Sequence, residues 1–205
     1  MACGKLLIAT NNRGKLAEYK SLLEGVPWEL VSPAECGIAE GDFETGDTFE
    51  ANARLKARGY ARLSGLPTLA DDSGLEVDAL GGRPGVYSAR YGGQTTDSGR
   101  IGLLLRELRG VPREKRSARF RCVIAIAPAT GDEVTLCEGE CTGFICLEPR
   151  GEQGFGYDPV FCLPGLNRTM AELSFAEKNR ISHRARAAAR ARPVLAKLYR
   201  QCVRR

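Results

Sequence analysis

The sequence predicts an α/β fold arranged as two lobes of one folding unit. Short apolar strands alternate with helical segments in the first half of the chain, and residues 118–147 show closely spaced strand patterns typical of an antiparallel meander. With 205 residues and 43% hydrophobic content, the chain can form a substantial core. Because no repeat or low-complexity linker divides it, we treat residues 1–205 as a single domain without a defined lobe boundary.

Composition narrows the classes of function. The net charge of +5 favours anionic ligands, and no apolar run is long enough to cross a bilayer. The chain starts without a signal-peptide pattern, so we expect a cytoplasmic protein. Its eight cysteines lack paired CxxC spacing and there is one histidine, His183, which makes a poor zinc set. We therefore expect reduced thiols.

The chain begins with an arrangement suited to phosphate binding. Residues 5–10 predict a strand, 11–15 a polar turn and 16–23 a helix, with a second strand at 28–32. This order places backbone N–H groups and Lys15 at a helix N-terminus, where a phosphate binds favourably. The P-loop pattern is absent, and a helix start capped by a polar side chain explains the same residues.

An acidic loop at 34–47 precedes a predicted helix over 49–64. We expect Asn52 and Lys56 of this helix to face a ligand shared with Glu44 of the loop. Carboxylate oxygens are suitable metal ligands, although acidic loops are commonly just solvated. A metal role for Glu44 is therefore one of two open interpretations.

The central stretch predicts a buried strand over 66–70 that ends in Asp71 and Asp72, followed by a sharp turn at Ser73-Gly74. Side chains alternate along a strand, so one aspartate rather than both should face a given site. A carboxylate at a strand end suits Mg²⁺ binding or general-base catalysis. An ordinary polar turn is the alternative.

The sequence that follows predicts an irregular loop at 81–85 and an amphipathic helix at 98–108. Three strands are predicted after the helix, at 118–128, 133–138 and 142–147. A glycine-flanked aromatic string at 154–159 can stack on a base, or can be a tight turn that buries its aromatic rings. A basic helix opens at 176, and Pro193 kinks or restarts it. Its histidine, His183, fits a structural role as well as a functional one.

Six short motifs occur in an order that resembles the inosine triphosphate pyrophosphatase family, over about residues 5–200. They are Thr10-x-Asn12-x-x-Lys15, Glu44-Thr-Gly-x-Thr-Phe-x-x-Asn52-Ala, Ala70-Asp-Asp-Ser-Gly-Leu, Gly81-Gly-x-Pro-Gly-Val-Tyr-Ser-Ala-Arg, Phe155-Gly-Tyr-Asp-Pro and Glu177-Lys-Asn-x-Ile-Ser-His-Arg184.

This resemblance implies an elongated mixed central sheet with flanking helices, two lobes around a deep cleft, and a homodimer. It also implies hydrolysis of ITP, dITP or XTP to the monophosphate and pyrophosphate with Mg²⁺, in the cytosol, which removes deaminated purines from the precursor pool. Asp72 is the implied base and metal ligand. The implied substrate-binding residues are Thr10, Asn11, Asn12, Arg13, Gly14, Lys15, Ser73, Phe155, Gly156, Tyr157, Asp158, Lys178, His183 and Arg184, beside Asn52 and Lys56.

One position departs from the family pattern. Many bacterial members carry two glutamates before Thr-Gly, whereas this chain has Phe43 at the first position, which leaves Glu44 as the second metal ligand. For the base, Lys178, His183 and Arg184 are hydrogen-bond donors that suit the 6-oxo acceptor of hypoxanthine or xanthine.

Two other classes of function compete with this one. A nucleic-acid-binding protein would explain the arginine-rich C-terminal helix, but the chain carries no nucleic-acid-binding motif, so we expect no nucleic-acid partner. A pyrophosphatase of the related septum-inhibitor family is the second rival, and residues 155–158 and 182–184 argue against it.

Overall fold

A computed structural model describes residues 4–39, 41 and 43–203. Its helices are α1 (Arg13–Leu22), α2 (Phe49–Ser64), α3 (Asp97–Glu107), α4 (Phe175–Ile181) and α5 (His183–Val203). Its strands are β1 (Lys5–Ile8), β2 (Glu29–Val31), β3 (Thr68–Val77), β4 (Ser117–Ala127), β5 (Thr135–Ile145) and β6 (Phe161–Cys162). Short 3₁₀ segments lie between them, and the acidic loop's Glu40 and Asp42, like Cys3, fall outside the described residues.

The strands form one mixed sheet in the order β2-β1-β3-β4-β5-β6. Strand β1 is parallel to both of its neighbours, with Lys5 opposite Glu29 and Leu7 opposite Thr68, while β5 and β6 are antiparallel. Parallel neighbours need a crossover, and the chain provides one between β1 and β2 through α1. The predicted α/β class with a mixed sheet and flanking helices is confirmed.

The chain divides into two compact units. Unit 1 comprises Met1–Asp72, Cys122–Gly139 and Arg184–Arg205, and unit 2 comprises Ser73–Arg121 and Glu140–His183. The first boundary falls inside β3, between the second aspartate and Ser73.

The core of unit 1 is built by strand residues and by one face of α5. Leu6, Ile8 and Ile124 are buried, together with Ala191 and Leu195 of the helix. Alanines along α5 let it approach closely, and the described helix runs unbroken through Pro193. The tertiary packing therefore outweighs the backbone hydrogen bond that this proline lacks.

Unit 2 has its own apolar core, which includes Leu75, Leu104, Phe120 and Phe161. The structure also joins Cys146, which directly follows β5, to Cys162 of the neighbouring strand β6 in a disulfide, with the two Cα atoms 6.0 Å apart. The expectation of fully reduced cysteines is therefore wrong for this pair. Sequence spacing did not show the pairing, because antiparallel strands bring the two residues together across a long loop.

Three predicted boundaries are wrong, and packing explains each. Strand β3 does not turn at Ser73-Gly74 but continues to Val77, because Leu75 and Val77 are buried. The strands predicted at 133–138 and 142–147 are one strand, β5. The basic helix is interrupted at Ser182, which has extended backbone angles and separates α4 from α5.

The helix predicted over 49–64 is confirmed at both ends. The Thr48 side chain accepts a hydrogen bond from the Ala51 amide at 3.1 Å, and Gly65 ends the helix in the left-handed conformation. None of the described helices has the length and apolar character needed to cross a membrane.

Candidate active site

One cluster of candidate site residues, in unit 1, begins where β1 ends. Ile8 pairs with Leu69 of β3, and the chain then enters α1 through a four-residue connection. Because the two strands are parallel, their carboxyl ends share one edge of the sheet, where α/β proteins commonly bind ligands. This register places Asp71, two residues beyond Leu69, close to Lys15 of α1, and their charged groups are 3.0 Å apart.

Asp71 is almost completely buried among cations. Its carboxylate contacts Lys15 and lies 3.7 Å from the guanidinium of Arg184. Burial alone would raise the pKa of Asp71, but the charges of Lys15, Arg184 and Lys56 outweigh it and hold that pKa well below its usual range. Asp71 is thus a permanent anion that holds the cations in place, a role that the sequence interpretation missed.

The neighbouring carboxylate, Asp72, has different partners. It accepts a hydrogen bond from the Asn52 side-chain amide at 2.9 Å. Burial raises the pKa of Asp72. The charge of Lys15 and the hydrogen bond from Asn52 act in the opposite direction and lower it. A carboxylate with a raised pKa is better suited to accept a proton than its permanently ionised neighbour.

Asn52 joins two parts of unit 1. It is buried, its amide nitrogen donates to Asp72, and its amide oxygen accepts from the Gly46 backbone N–H at 2.7 Å. A Cβ at Gly46 would lie 2.7 Å from the Ala51 Cβ of α2, which explains why glycine fits there. These contacts support a role for Asn52 in positioning Asp72 rather than in contacting a substrate.

Lys56 connects the acidic loop to the central strand. Its ammonium group pairs with the Glu44 carboxylate and donates to the Asp71 carbonyl oxygen at 3.1 Å. Burial lowers the pKa of Lys56, but Glu44 and Asp71 raise it by more, so the lysine stays charged. Lys56 thus pairs with Glu44, and Asn52 and Lys56 contact the two adjacent aspartates of β3, while the shared ligand stays a prediction.

The N-terminus of α1 forms the rest of this cluster. The Asn12 side chain accepts from the Lys15 amide at 3.0 Å, and the Asn12 amide donates to the Thr10 hydroxyl at 3.2 Å. The other predicted phosphate-binding residues line the same start of the helix, half-buried or exposed: Asn11, Arg13 and Gly14. The capping interaction leaves room for the predicted phosphate site, because one cap leaves further N–H groups at the helix start.

Arg184 is placed by the structure in this first cluster. Its guanidinium pairs with Glu18 of α1, approaches Asp71 and lies 5.9 Å from the ring centroid of Tyr19. Its side chain is only 2% exposed. Sequence reasoning missed Glu18, and its only signal was a charged residue on the otherwise apolar face of α1.

A separate cluster of predicted residues lies in unit 2, around the loop at 154–158. Asp158 is buried and accepts from the Phe155 amide at 2.9 Å and from the Lys178 ammonium group at 2.5 Å. The Lys178 nitrogen also lies 4.7 Å from the centroid of the Phe155 ring. Gly154 has a φ of 78°, and any Cβ there would collide with the Asp158 carboxylate. The loop therefore presents a half-buried aromatic ring beside a fixed ammonium group.

Two residues hold this loop, of which Asp97 lies outside the predicted motifs and Ser88 lies within the fourth. Asp97 at the start of α3 accepts from the Gly156 amide at 2.7 Å, and the Ser88 carbonyl accepts from the Tyr157 hydroxyl at 3.0 Å. Burial raises the pKa of Tyr157, so its hydroxyl remains a donor. Nothing in the local sequence around Asp97 indicated this contact.

The last predicted residues of unit 2 are His183 and Ser73. The His183 ring stacks on Phe120 with centroids 4.7 Å apart and is buried. Ser73 is half-buried, directly after the two aspartates in β3. The structure thus groups Lys178 with Phe155 and Asp158, and it groups Arg184 with the carboxylates of unit 1.

The carboxylates of unit 1 have the chemistry of a magnesium site. Among the described residues there is no group of three His, Cys, Asp or Glu side chains poised to hold a metal ion. However, the negative charge of Glu44 adds to the effect of burial in raising the pKa of Asp72, so these two carboxylates repel each other. A cation with hard oxygen ligands relieves such repulsion, and Asp72 and Glu44 therefore fit Mg²⁺ by donor type.

Comparison with known proteins places this geometry in a family. The model of the Ham1 family matches residues 6–194. A Bacillus subtilis protein named dITP/XTP pyrophosphatase is 51% identical over 180 residues, which cover 87% of this chain and 90% of the relative. An Escherichia coli O157:H7 protein of the same name is 48% identical, with coverages of 89% and 93%.

Solved structures agree. A HAM1 protein from Coxiella burnetii superposes with a TM-score of 0.86 at 43% identity, covering 95% of this chain and 99% of the other. A nucleoside-triphosphatase, or dITP/XTP pyrophosphatase, from Mycobacterium abscessus gives a TM-score of 0.74 at 45% identity, with coverages of 92% and 99%. The family resemblance inferred from the six motifs is confirmed, and the chain belongs to the Ham1 family.

Proposed function

We propose that this protein hydrolyses non-canonical purine nucleoside triphosphates, namely ITP, dITP and XTP, to the nucleoside monophosphate and pyrophosphate. The observation that carries the proposal is the cluster of Lys15, Lys56, Asp71 and Asp72 at the carboxyl end of β1 and the start of α1. The names of relatives about half identical to this chain support the substrate class.

The unit 1 cluster is assigned to the phosphates. Lys15, Lys56 and the free N–H groups at the start of α1 are positive and converge on one region. A triphosphate carries about four negative charges, and more charge develops on the pyrophosphate leaving group during hydrolysis. Asp71 holds Lys15, so the lysine is already in place before a substrate binds.

Asp72 is assigned as the general base. Its raised pKa suits proton acceptance from a water molecule that attacks the α-phosphate, and Asn52 fixes its orientation. With Glu44 it would also hold Mg²⁺, which when bound stabilises charge on the phosphate oxygens. No covalent nucleophile is required, and the buried Cys122 thiol, whose pKa burial raises to about 12, is unsuited to be one.

The unit 2 loop is assigned to the base. The half-buried Phe155 ring offers a stacking surface, worth about 1–3 kcal/mol per base. Lys178, held by Asp158, and the buried His183 supply donors for the 6-oxo group. Adenine presents an amino donor at that position, so it would leave donors facing donors.

The biological setting follows from this activity. We infer a cytoplasmic homodimer that uses Mg²⁺ and keeps deaminated purine nucleotides out of the precursor pool. No nucleic acid or membrane takes part.

The test is a panel of triphosphates assayed for phosphate release with and without added inorganic pyrophosphatase. We expect release from ITP, dITP and XTP only when pyrophosphatase is present, with label from ¹⁸O-water in the monophosphate. Orthophosphate as a first product would show attack on the γ-phosphate and contradict the proposal. Oligonucleotide binding that falls steeply with salt would instead favour the nucleic-acid-binding rival.

A further inference from the structure

A half-buried aromatic ring, Phe43, precedes Glu44 in the acidic loop and packs on helix α2. The ring lies against Gly59 so closely that any Cβ at Gly59 would collide with it. Gly59 does not have a positive φ, so the backbone conformation does not require glycine there. A glycine in a helix interior destabilises the helix relative to alanine. At Gly59, the space left by the missing side chain is occupied by the Phe43 ring.

Two further contacts hold the ring and its loop. Tyr60, buried on α2, packs edge-to-face on Phe43 with centroids 5.1 Å apart and an interplanar angle of 67°. The Tyr60 hydroxyl accepts from the Gly41 amide at 3.3 Å, and a Cβ at Gly41 would also collide with the Phe43 ring. The niche for the ring therefore has three sides, formed by Gly41, Gly59 and Tyr60.

The niche lies one helical turn from the partner of Glu44. Gly59 and Lys56 are three residues apart on α2, so they are neighbours on the helix surface. Phe43 and Glu44, adjacent in the loop, contact these two positions respectively. The ion pair to Lys56 holds the Glu44 side chain at its carboxylate, whereas a docked Phe43 ring fixes the backbone that carries Glu44.

We infer that Phe43 is a positioning residue. Its docked ring fixes the position of the Glu44 carboxylate and thereby determines the affinity of the site for a divalent cation. The inference rests on the proposed function in one respect, the assignment of Glu44 as a metal ligand. It adds Phe43 and the two residues that hold its ring, Gly59 and Tyr60. These residues act through Glu44 without touching a ligand.

The packing is tested by a double-mutant cycle on melting temperature. Gly59→Ala should lower the melting temperature, although alanine is the better helix former, because its methyl group displaces the ring. Combining Gly59→Ala with Phe43→Ala should recover most of that loss. Gly102→Ala in α3 is the matched control, since the nearest atom to its Cβ is Arg106 Nη1 at 3.9 Å, and it should raise the melting temperature. Stabilisation by Gly59→Ala alone would show that the ring is not docked there and overturn the inference.

The positioning role is tested by Mn²⁺ binding without nucleotide, read from the electron paramagnetic resonance signal of the free ion. Phe43→Ala should raise the Mn²⁺ dissociation constant about 10-fold, as expected for a residue that orients a metal ligand. The double variant Phe43→Ala/Gly59→Ala should be stable yet bind Mn²⁺ as weakly as Phe43→Ala. A purely structural role predicts that affinity returns with stability, which would overturn the inference.

Glu44→Gln separates this inference from the function on which it rests. If Glu44→Gln weakens Mn²⁺ binding while Phe43→Ala does not, the positioning role is wrong and the metal role of Glu44 stands. If neither variant weakens Mn²⁺ binding, the positioning role of Phe43 and the metal role of Glu44 are both wrong.

Activity gives a parallel readout, since Phe43→Ala should raise the Mg²⁺ concentration for half-maximal rate and leave kcat at saturating Mg²⁺ unchanged.

Discussion

Changes to the buried ion pair between Arg184 and Glu18 can distinguish a structural role of Arg184 from a substrate-binding role. The side chains are 2% and 4% exposed, and Arg184 also approaches Asp71. Removing one partner of such a pair leaves an uncompensated buried charge, which costs about 3–5 kcal/mol. In a chain of this length that corresponds to a fall in melting temperature of roughly 6–20 °C. We therefore expect Arg184→Met to destabilise the protein by this amount.

The assay is chemical denaturation of Arg184→Met, Glu18→Gln and the double variant, paired with rate constants on ITP and ATP. The double variant should be less destabilised than the two single changes added together, because neither charge is left alone. Arg62→Met is a matched control, since its bridge to Asp132 is exposed and should contribute less than about 1 kcal/mol. If Arg184 acts only by holding Asp71 and α1, ITP turnover falls and the ratio of ITP to ATP rates is kept. A tenfold change in that ratio with unchanged stability would refute this reasoning and restore the base-contacting role.

Three further outcomes are expected. Asp72→Asn should abolish turnover, because it removes the proposed base. The circular dichroism spectrum and the melting temperature should stay near those of the parent, since the side-chain volume does not change. Comparable activity in both proteins would contradict the assignment. Opening the Cys146–Cys162 disulfide, which closes a loop of 16 residues, should destabilise the protein by about 3 kcal/mol, and thiol titration in denaturant should find two more thiols after reduction than before. Lys178→Met should narrow the ITP preference over ATP, as measured by kcat/KM; an unchanged ratio would exclude Lys178 from base selection.

Local sequence was sufficient for features whose cause is local. Thr48 and Gly65 mark both ends of α2, because capping and left-handed conformation depend on single residue types. The phosphate-binding segment was recognisable for the same reason, as a strand followed by a polar helix start. The grouping of Asn52 and Lys56 followed from their spacing of four on one helix face.

Features that depend on distant packing were not predictable. Gly74 in β3 suggested a turn, yet burial of Leu75 and Val77 carries the strand through it. Glu18 and Arg184 are 166 residues apart, and Asp97 and Gly156 are 59 apart, so no spacing rule connects them. The disulfide depends equally on the register of β5 against β6.

The charge balance of the unit 1 cluster bears on why the proposed site would bind a cation together with a nucleotide. Four positive charges face four carboxylates in this cluster, namely Arg13, Lys15, Lys56 and Arg184 against Glu18, Glu44, Asp71 and Asp72. A cluster without net charge attracts a triphosphate only weakly, however well its lysines are placed. A divalent cation held by Asp72 and Glu44, as proposed above, would make the cluster positive, and the lysines, already fixed by Asp71 and Glu44, would then act on the phosphates without reorganising. The carboxylates that hold the lysines thus account for the proposed use of a metal.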